Sequence, residues 1–480
     1  MSRERKRIVV VGGGISGLAA AHRVTELAAE HGHPVEVSLL EAGPRLGGVI
    51  SSRRVDGYLV EEGPDSILTE KPWAVALARR IGIQDRLVST LEGYRRSYVA
   101  RRGRLHATPD GFYLLAPSHL APLVTTRLFS IPGKLRMGLD LLIPRGAARA
   151  DESLASFVRR RLGTEALERI AQPMVAGIYG ADPEKLSLRA TFPRFHEMER
   201  EHRSIILALR AGIRRRRRSA GGAASGARYS LFVAFDEGLQ VLTDTLAGRL
   251  PEGVARTRAP VDAIYPSPEG TWRLRSNGTE ETADALVLAV PAHRASELVG
   301  TFDAKLGQRL AAIPYGSSAT VCLGYPEAAV GHPLDGVGFV VPAVEGQTII
   351  GCTFSHRKYP GRAPAGHALF RAFHATPSLE HTDEELIDIT HGELQGYLDL
   401  GEPPSMAHVA RWPRSMAHFE VGHIDRVDRI WEALRAHPGL RLAGNAYRGI
   451  GIPDCIHSGE TAAEEEMARL FGAAVTACTA

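Results

Sequence analysis

Residues 8–17 read Ile8-Val9-Val10-Val11-Gly12-Gly13-Gly14-Ile15-Ser16-Gly17. The first four form an unbroken apolar run, as expected of a parallel strand buried on both faces. The glycines that follow are spaced GxGxxG at Gly12, Gly14 and Gly17. Leu18 to Leu27 then reads as a helix, kept slim by Ala19, Ala20 and Ala21. A second strand, Val35 to Leu40, ends in Glu41. Each part suits the binding of a dinucleotide. Gly12 permits the tight turn, Gly14 leaves room for a pyrophosphate, and Gly17 lets helix and strand close. Ile15 and Ser16 open the helix, whose free N–H groups meet the phosphates. Glu41 is placed to accept hydrogen bonds from a ribose diol. GxGxxG alone marks many ordinary turns; strand, glycines, helix, second strand and acid in this order point to a dinucleotide.

The flanking segments specify FAD. Arg45-Leu46-Gly47-Gly48 follows Glu41 in the pattern ExxxRxGG, where two glycines and a cation suit a long, extended dinucleotide. Near the C-terminus, Leu440 to Leu442 is another short strand, reaching Gly444-Asn445. It precedes Gly449-Ile450-Gly451-Ile452-Pro453 and a helix from about Cys455 to Phe471. As structure, that glycine-rich turn is only a helix cap. Paired with the N-terminal motif, its N–H groups are better read as facing the flavin diphosphate or pyrimidine edge. No second GxGxxG stands between a strand and a helix, since Gly221 to Gly226 follows five arginines. With no NAD(P) unit, the reduced flavin passes its electrons elsewhere. Oxygen is the simplest acceptor, with a quinone or a protein as alternatives.

Bulk properties agree with a flavoenzyme of several domains. The chain has 480 residues, enough for two or three domains, and 44% hydrophobic and 23% charged residues, a normal globular balance. The net charge of +4 is mild, and nucleic acid is not an expected partner. The four cysteines show neither CxxC nor metal spacing, and no metal is expected. Met1 to Gly14 has no export-signal character and no long apolar run follows. The expected location is therefore the cytoplasm, with at most peripheral membrane contact.

Together these segments resemble the flavin-containing amine oxidase superfamily, whose FAD domain is assembled from both chain ends. Four stretches are similar to its protoporphyrinogen/coproporphyrinogen III oxidase branch, in the soluble bacterial type. They are Gly57 to Ser66, Gly177-Ile178-Tyr179-Gly180-Ala181-Asp182 to Ser187, Met198 to Ser204, and Gly444 to Cys455. Leu128 to Lys134 also fits, so the likeness covers nearly the whole chain. In one place it departs: the family's GIYAGD has Gly180 and Ala181 here in reversed order.

The resemblance implies non-covalent FAD, with the backbone of Gly63, Pro64, Asp65 and Ser66 against the isoalloxazine ring and Val261 beside adenine. It implies Gly177 and Ile178 against the macrocycle. Trp412 is read as packing near the flavin or in the core. Lys71 is a candidate propionate partner or a surface lysine. Ser97 stands where protoporphyrinogen-specialised relatives carry Arg, which favours coproporphyrinogen III, with protoporphyrinogen IX as the alternative. The implied reaction is a six-electron oxidation in haem biosynthesis, with oxygen as acceptor and hydrogen peroxide as by-product. No catalytic dyad or triad is evident, and the product would pass to a ferrochelatase. Another flavin amine oxidase and a non-catalytic porphyrin-carrying flavoprotein are the competing readings.

The expected architecture is α/β and α+β: a Rossmann-like FAD domain of the amine oxidase type, an antiparallel-sheet substrate domain and a helical region. Residues 1–70, 230–298 and 436–478 are assigned to the FAD domain, and 71–90 and 299–435 to the substrate domain. Residues 90–215 are assigned to the helical region, and 214–228 to a flexible linker. The apolar stretch 111–144, broken by prolines, is either a membrane-dipping hairpin or helices lining a substrate entrance.

Overall fold

The strand Lys6–Val11 lies at the centre of a five-stranded parallel sheet, which explains its unalternating apolar sequence. Val35–Leu40 and then Ala255–Arg256 lie on one side, and Ala285–Leu288 and then Leu440–Leu442 on the other. Both ends of the chain thus build one sheet. In the computed structural model, residues 5–472 are described, apart from 95, 110–111, 114–115, 118–119, 147–150 and 220–230.

One face of the sheet carries the helices Ile15–His31 and Ile452–Phe471, packed closely against each other. A Cβ on Gly459 would lie 2.1 Å from the Ser16 carbonyl oxygen, so only glycine lets these backbones meet. Ala462 and Ala463 extend the narrow seam into the core around Ile8, Val10 and Leu18. The other face packs Val9, Val11, Leu286 and Leu288 against the small antiparallel sheet that begins at Val261.

A seven-stranded sheet forms the second body. Its order is Met406–Ala417, Tyr315–Pro326, His367–Ala375, Ile349–Phe354, Gly338–Val340, Tyr98–Arg101 and Arg104–Ala107. A third cluster of helices, centred on Leu154, Phe157, Ile170 and Val175, packs beside it.

Several expected boundaries are corrected. Residues 71–90 join the nucleotide-binding core: Ala74, Leu77 and Ala78 bury one face of the helix Trp73–Arg80 there, and Leu87–Ser89 pairs with Phe232–Phe235. Residues 98–107, assigned to the helical region, are instead two strands of the seven-stranded sheet. Within 299–435, the helices Ala304–Ala311 and His423–Leu434 bury Leu306, Leu310, Val427 and Ile430 against the nucleotide-binding side. The run Arg214–Arg218 belongs to the helix Ile205–Ser219 rather than to a linker; residues 220–230 lie outside the described residues. No helix among the described residues is long and apolar enough to cross a membrane.

Candidate cofactor and substrate site

The glycine turn is built by close backbone contact. A Cβ on Gly17 would stand 1.8 Å from the Gly12 carbonyl oxygen, so the first helix can begin tight on the strand only with glycine there. Gly14 faces open space, with nothing nearer to a Cβ than the Gly48 Cα at 4.0 Å. Glu41 closes the other side. Its Oε2 accepts the Gly13 N–H at 2.6 Å and its Oε1 the Gly43 N–H at 2.6 Å. The carboxylate is thereby fixed beside the glycine turn, and each oxygen keeps a lone pair for a further donor. Ala259 N–H bonds the Glu41 carbonyl at 2.8 Å, which brings the strand starting at Val261 alongside.

Arg45 serves the same groove through its own loop. Its guanidinium donates to the carbonyls of Gly48 at 2.5 Å and Ile50 at 3.0 Å, holding Gly47 and Gly48 against Gly13 and Gly14. The cation near the glycine turn therefore shapes backbone. The C-terminal turn completes the cradle. Gly444 N–H donates to Ser458 Oγ at 3.1 Å, and Asn445 Nδ2 to the Ser415 carbonyl at 3.1 Å. Gly451 caps the helix Ile452–Phe471 with no side-chain bond, and Pro453 stands in its first turn, where a missing N–H costs nothing. An open groove, a fixed carboxylate and a 20-residue helix without a side-chain cap fit a dinucleotide diphosphate and ribose.

The Gly63–Ser66 loop is held from the second body. A Cβ on Gly63 would lie 1.7 Å from the Val49 carbonyl oxygen, so the loop lies directly on the Gly47–Ile50 segment. Asp65 receives Lys358 Nζ on both oxygens at 2.9 Å and Ser66 Oγ at 2.7 Å, with Arg371 3.8 Å away. Burial pushes the Asp65 carboxyl upward, but Lys358 and Arg371 prevail and hold it well below the usual carboxylate range. Arg371 also donates to the Gly63 carbonyl. Trp412 Nε1 donates to the Glu62 carbonyl at 2.7 Å and Thr320 Oγ1 to the same oxygen at 3.1 Å. Trp412 therefore anchors the strand that delivers Pro64 and its neighbours.

Gly177 and Ile178 are exposed at the end of the helix Gln172–Tyr179, whereas Tyr179 is buried and donates to the Thr191 carbonyl at 3.2 Å. Burial, and secondarily Asp454, push the Tyr179 hydroxyl far above its ordinary range, so it stays protonated. Ile450 of the C-terminal turn packs on the same cluster as Val175 and Tyr179. Asp454, in the first turn of the C-terminal helix, is near enough to bias the Tyr179 hydroxyl, so the end of the helix Gln172–Tyr179 lies near the start of Ile452–Phe471. Lys71 is there too: its Nζ donates to Asp454 at 2.6 and 2.8 Å while its side chain stays 40% exposed. It is neither a free cation nor a plain surface lysine. Ser97 lies at the foot of a hairpin, bonded hydroxyl to hydroxyl with Thr108 at 3.1 Å.

Sequence reading missed Lys358 and Arg371, Ser458, Ser415 and Asp454. Lys358, Arg371 and Asp454 are some three hundred residues or more from the groups they hold, and no local pattern marks any of the five. Gly459 with Ala462 and Ala463 did carry a signal, because small residues at helical spacing mark a close helix contact.

A family profile described as flavin containing amine oxidoreductase matches residues 15–465. The coproporphyrinogen III oxidase of Bacillus subtilis (strain 168) is 34% identical over 476 residues, covering 98% of this chain and 100% of that one. The chloroplastic protoporphyrinogen oxidase 1 of Spinacia oleracea is 31% identical, over 95% of this chain and 83% of that one. A solved structure from Exiguobacterium sp. 255-15, described as a candidate protoporphyrinogen oxidase, superposes with a TM-score of 0.83 at 31% identity, over 96% of this chain and 98% of that one.

Proposed function

Because the chain belongs to the flavin containing amine oxidoreductase family, we propose that it is an FAD-dependent porphyrinogen oxidase of haem biosynthesis, with coproporphyrinogen III as its preferred substrate. The observation that carries this reading joins full-length similarity to coproporphyrinogen III oxidases with one piece of geometry. Gly177 and Ile178 stand exposed on the helix whose last residue, Tyr179, feels the charge of Asp454, the partner of Lys71.

FAD fits the groove non-covalently. Gly12, Gly14, Gly17, Gly47 and Gly48 would line its diphosphate, Glu41 would take the ribose, and Val261 the adenine side. Gly444, Asn445, Gly451 and Ile452 would face the other end, with the Gly63–Ser66 loop beneath the ring. Bound FAD supplies the two-electron redox chemistry, with oxygen as the terminal acceptor. The protein supplies place and charge: Ile178 offers an apolar wall, and Lys71 and nearby arginines offer cations at the rim for propionates. Asp454 keeps the Lys71 ammonium extended towards the groove while leaving it partly open to solvent. A site meant for four propionates needs cations at more of its edge than one meant for two, since an unpaired carboxylate is costly to desolvate.

The protoporphyrinogen IX reading stays in play through the similarity to the Spinacia oleracea enzyme. Porphyrin fluorescence under matched oxygen and detergent decides between them. A higher kcat/KM for coproporphyrinogen III is expected; preference for protoporphyrinogen IX overturns the substrate while leaving the flavin oxidase. Steady oxygen uptake with either porphyrinogen separates an enzyme from a carrier protein.

Peripheral membrane contact belongs to the same reading. Ile131, Leu135, Leu139 and Leu142 follow one another at helical spacing and are 73%, 69%, 46% and 73% exposed, with Lys134 and Arg136 among them. An apolar ridge beside the Lys134 ammonium, with Arg136 engaged by the carbonyls of Arg159, Arg160 and Arg161, suits the surface of an anionic bilayer. Cosedimentation with phosphatidylglycerol vesicles should be lost in Ile131→Ser/Leu135→Ser; equal binding by that variant removes the membrane reading. Handing the product to a ferrochelatase is the remaining expected partnership.

A further inference from the structure

Away from the glycine groove, the helices Ala304–Ala311 and His423–Leu434 enclose a surface concavity of about 460 Å³. Its lining is Lys305, Gln308, Arg309, Ala312, Gly422, Arg426 and Arg429. Four of these seven carry a positive charge and none is a carboxylate. Like charges gathered in a concavity raise its potential and draw in anions. Two of the nearby acids are engaged elsewhere, and the third is exposed one turn before Arg429. Asp151 accepts the Gly422 N–H at 3.0 Å and also binds Ser187, Asp428 pairs with Arg448 at 2.7 Å, and Asp425 is exposed on the same helix. Arg309 has one bond, to the Arg429 carbonyl at 3.1 Å, which holds its guanidinium across the groove. Arg426 Nη1 is shielded from solvent and has no hydrogen-bond partner.

We propose that this groove binds an oligophosphate, either free or carried on a lipid head group. Planar guanidinium forks from two helices suit successive phosphates, each able to accept two parallel bonds. The lining has no aromatic side chain and only Ala312 as an apolar one, so nothing is provided for a nucleobase or a porphyrin plane. The site has a route to the substrate wall. The loop leading into the helix His423–Leu434 bonds the segment after Ile178, Ser187 N–H to the Phe419 carbonyl at 2.8 Å and Val421 N–H to the Lys185 carbonyl at 2.9 Å. An anion seated in the groove would steady both.

The test is calorimetric titration of the FAD-loaded protein with inorganic triphosphate at physiological salt, with citrate and cardiolipin vesicles as parallel arms. Saturable binding of triphosphate, at least tenfold weaker in Arg426→Gln and in Lys305→Gln/Arg429→Gln, is the expected result. The second variant alters two exposed side chains and leaves the fold intact if Arg426→Gln does not. Slowed amide exchange over residues 419–426 on adding triphosphate should accompany it. Vesicle binding that both variants weaken, without triphosphate binding, assigns the phosphate to a lipid. The proposal is overturned by citrate binding as tightly as triphosphate, by unchanged affinity in both variants, or by no saturable binding in the triphosphate and vesicle arms.

Discussion

Replacing Glu41 with Ala separates two jobs that one carboxylate performs. Without FAD, it already receives the Gly13 and Gly43 N–H groups at 2.6 Å each, so part of the loss falls on the protein itself. Charge-assisted hydrogen bonds contribute about 1.5–3 kcal/mol each, and the flavin-free variant should melt measurably lower than the flavin-free wild type. The remaining lone pairs are those proposed to meet the ribose. Losing one charged hydrogen bond there, at roughly 1.4 kcal/mol per tenfold, weakens FAD binding by about tenfold to 150-fold. Flavin fluorescence titration of deflavinated protein reads the affinity, and thermal melting of the same sample reads the latch. Glu41→Gln should fall between, because one amide oxygen still accepts while the NH2 faces a backbone donor. A Glu41→Ala protein that melts lower yet binds FAD within about threefold of wild type would refute the ribose role and leave only the latch.

Lys71→Ala should raise KM for coproporphyrinogen III more than it lowers kcat, as expected when an anchoring cation is lost; an unchanged KM removes Lys71 from the pocket. Anaerobic NADPH should leave the flavin absorbance intact in stopped-flow mixing, and rapid bleaching would sink the oxidase reading. His374 is wholly buried and bonded to Thr390, and burial pushes its imidazole down to about 4. The unfolded chain therefore takes up a proton near pH 6.5 that the folded protein resists. Stability from this group is complete above that pH and is lost as the pH falls towards about 4. Thermal melts between pH 7.5 and 4.5 should fall less steeply for His374→Gln than for wild type.

The nucleotide-binding half was legible because its signals are local. A strand, a turn and a helix N-terminus are adjacent in sequence, and two of the glycines are demanded by close contacts, Gly17 by Gly12 and Gly12 by Ala289 at the end of the neighbouring strand. Val35–Leu40 was read at its observed limits for the same reason. Trp412, read only as near the flavin or in the core, proves to hold the Glu62 carbonyl, a relation across 350 residues.

From sequence alone came the parallel sheet built by both chain ends, the glycine cradle, Glu41 at its edge and the family resemblance. The glycine cradle and Glu41 follow from backbone sterics and short-range periodicity, which one segment expresses by itself; the joining of both chain ends in one sheet is what the family resemblance implied. Only the tertiary structure decided that residues 98–107 complete the seven-stranded sheet, because strand partners are chosen by burial across the whole body. Only it placed Lys71 on Asp454 and set Lys358 and Arg371 around Asp65. A charged side chain can reach any opposite charge that folding brings within about 4 Å, and its sequence neighbours say nothing about which one that will be.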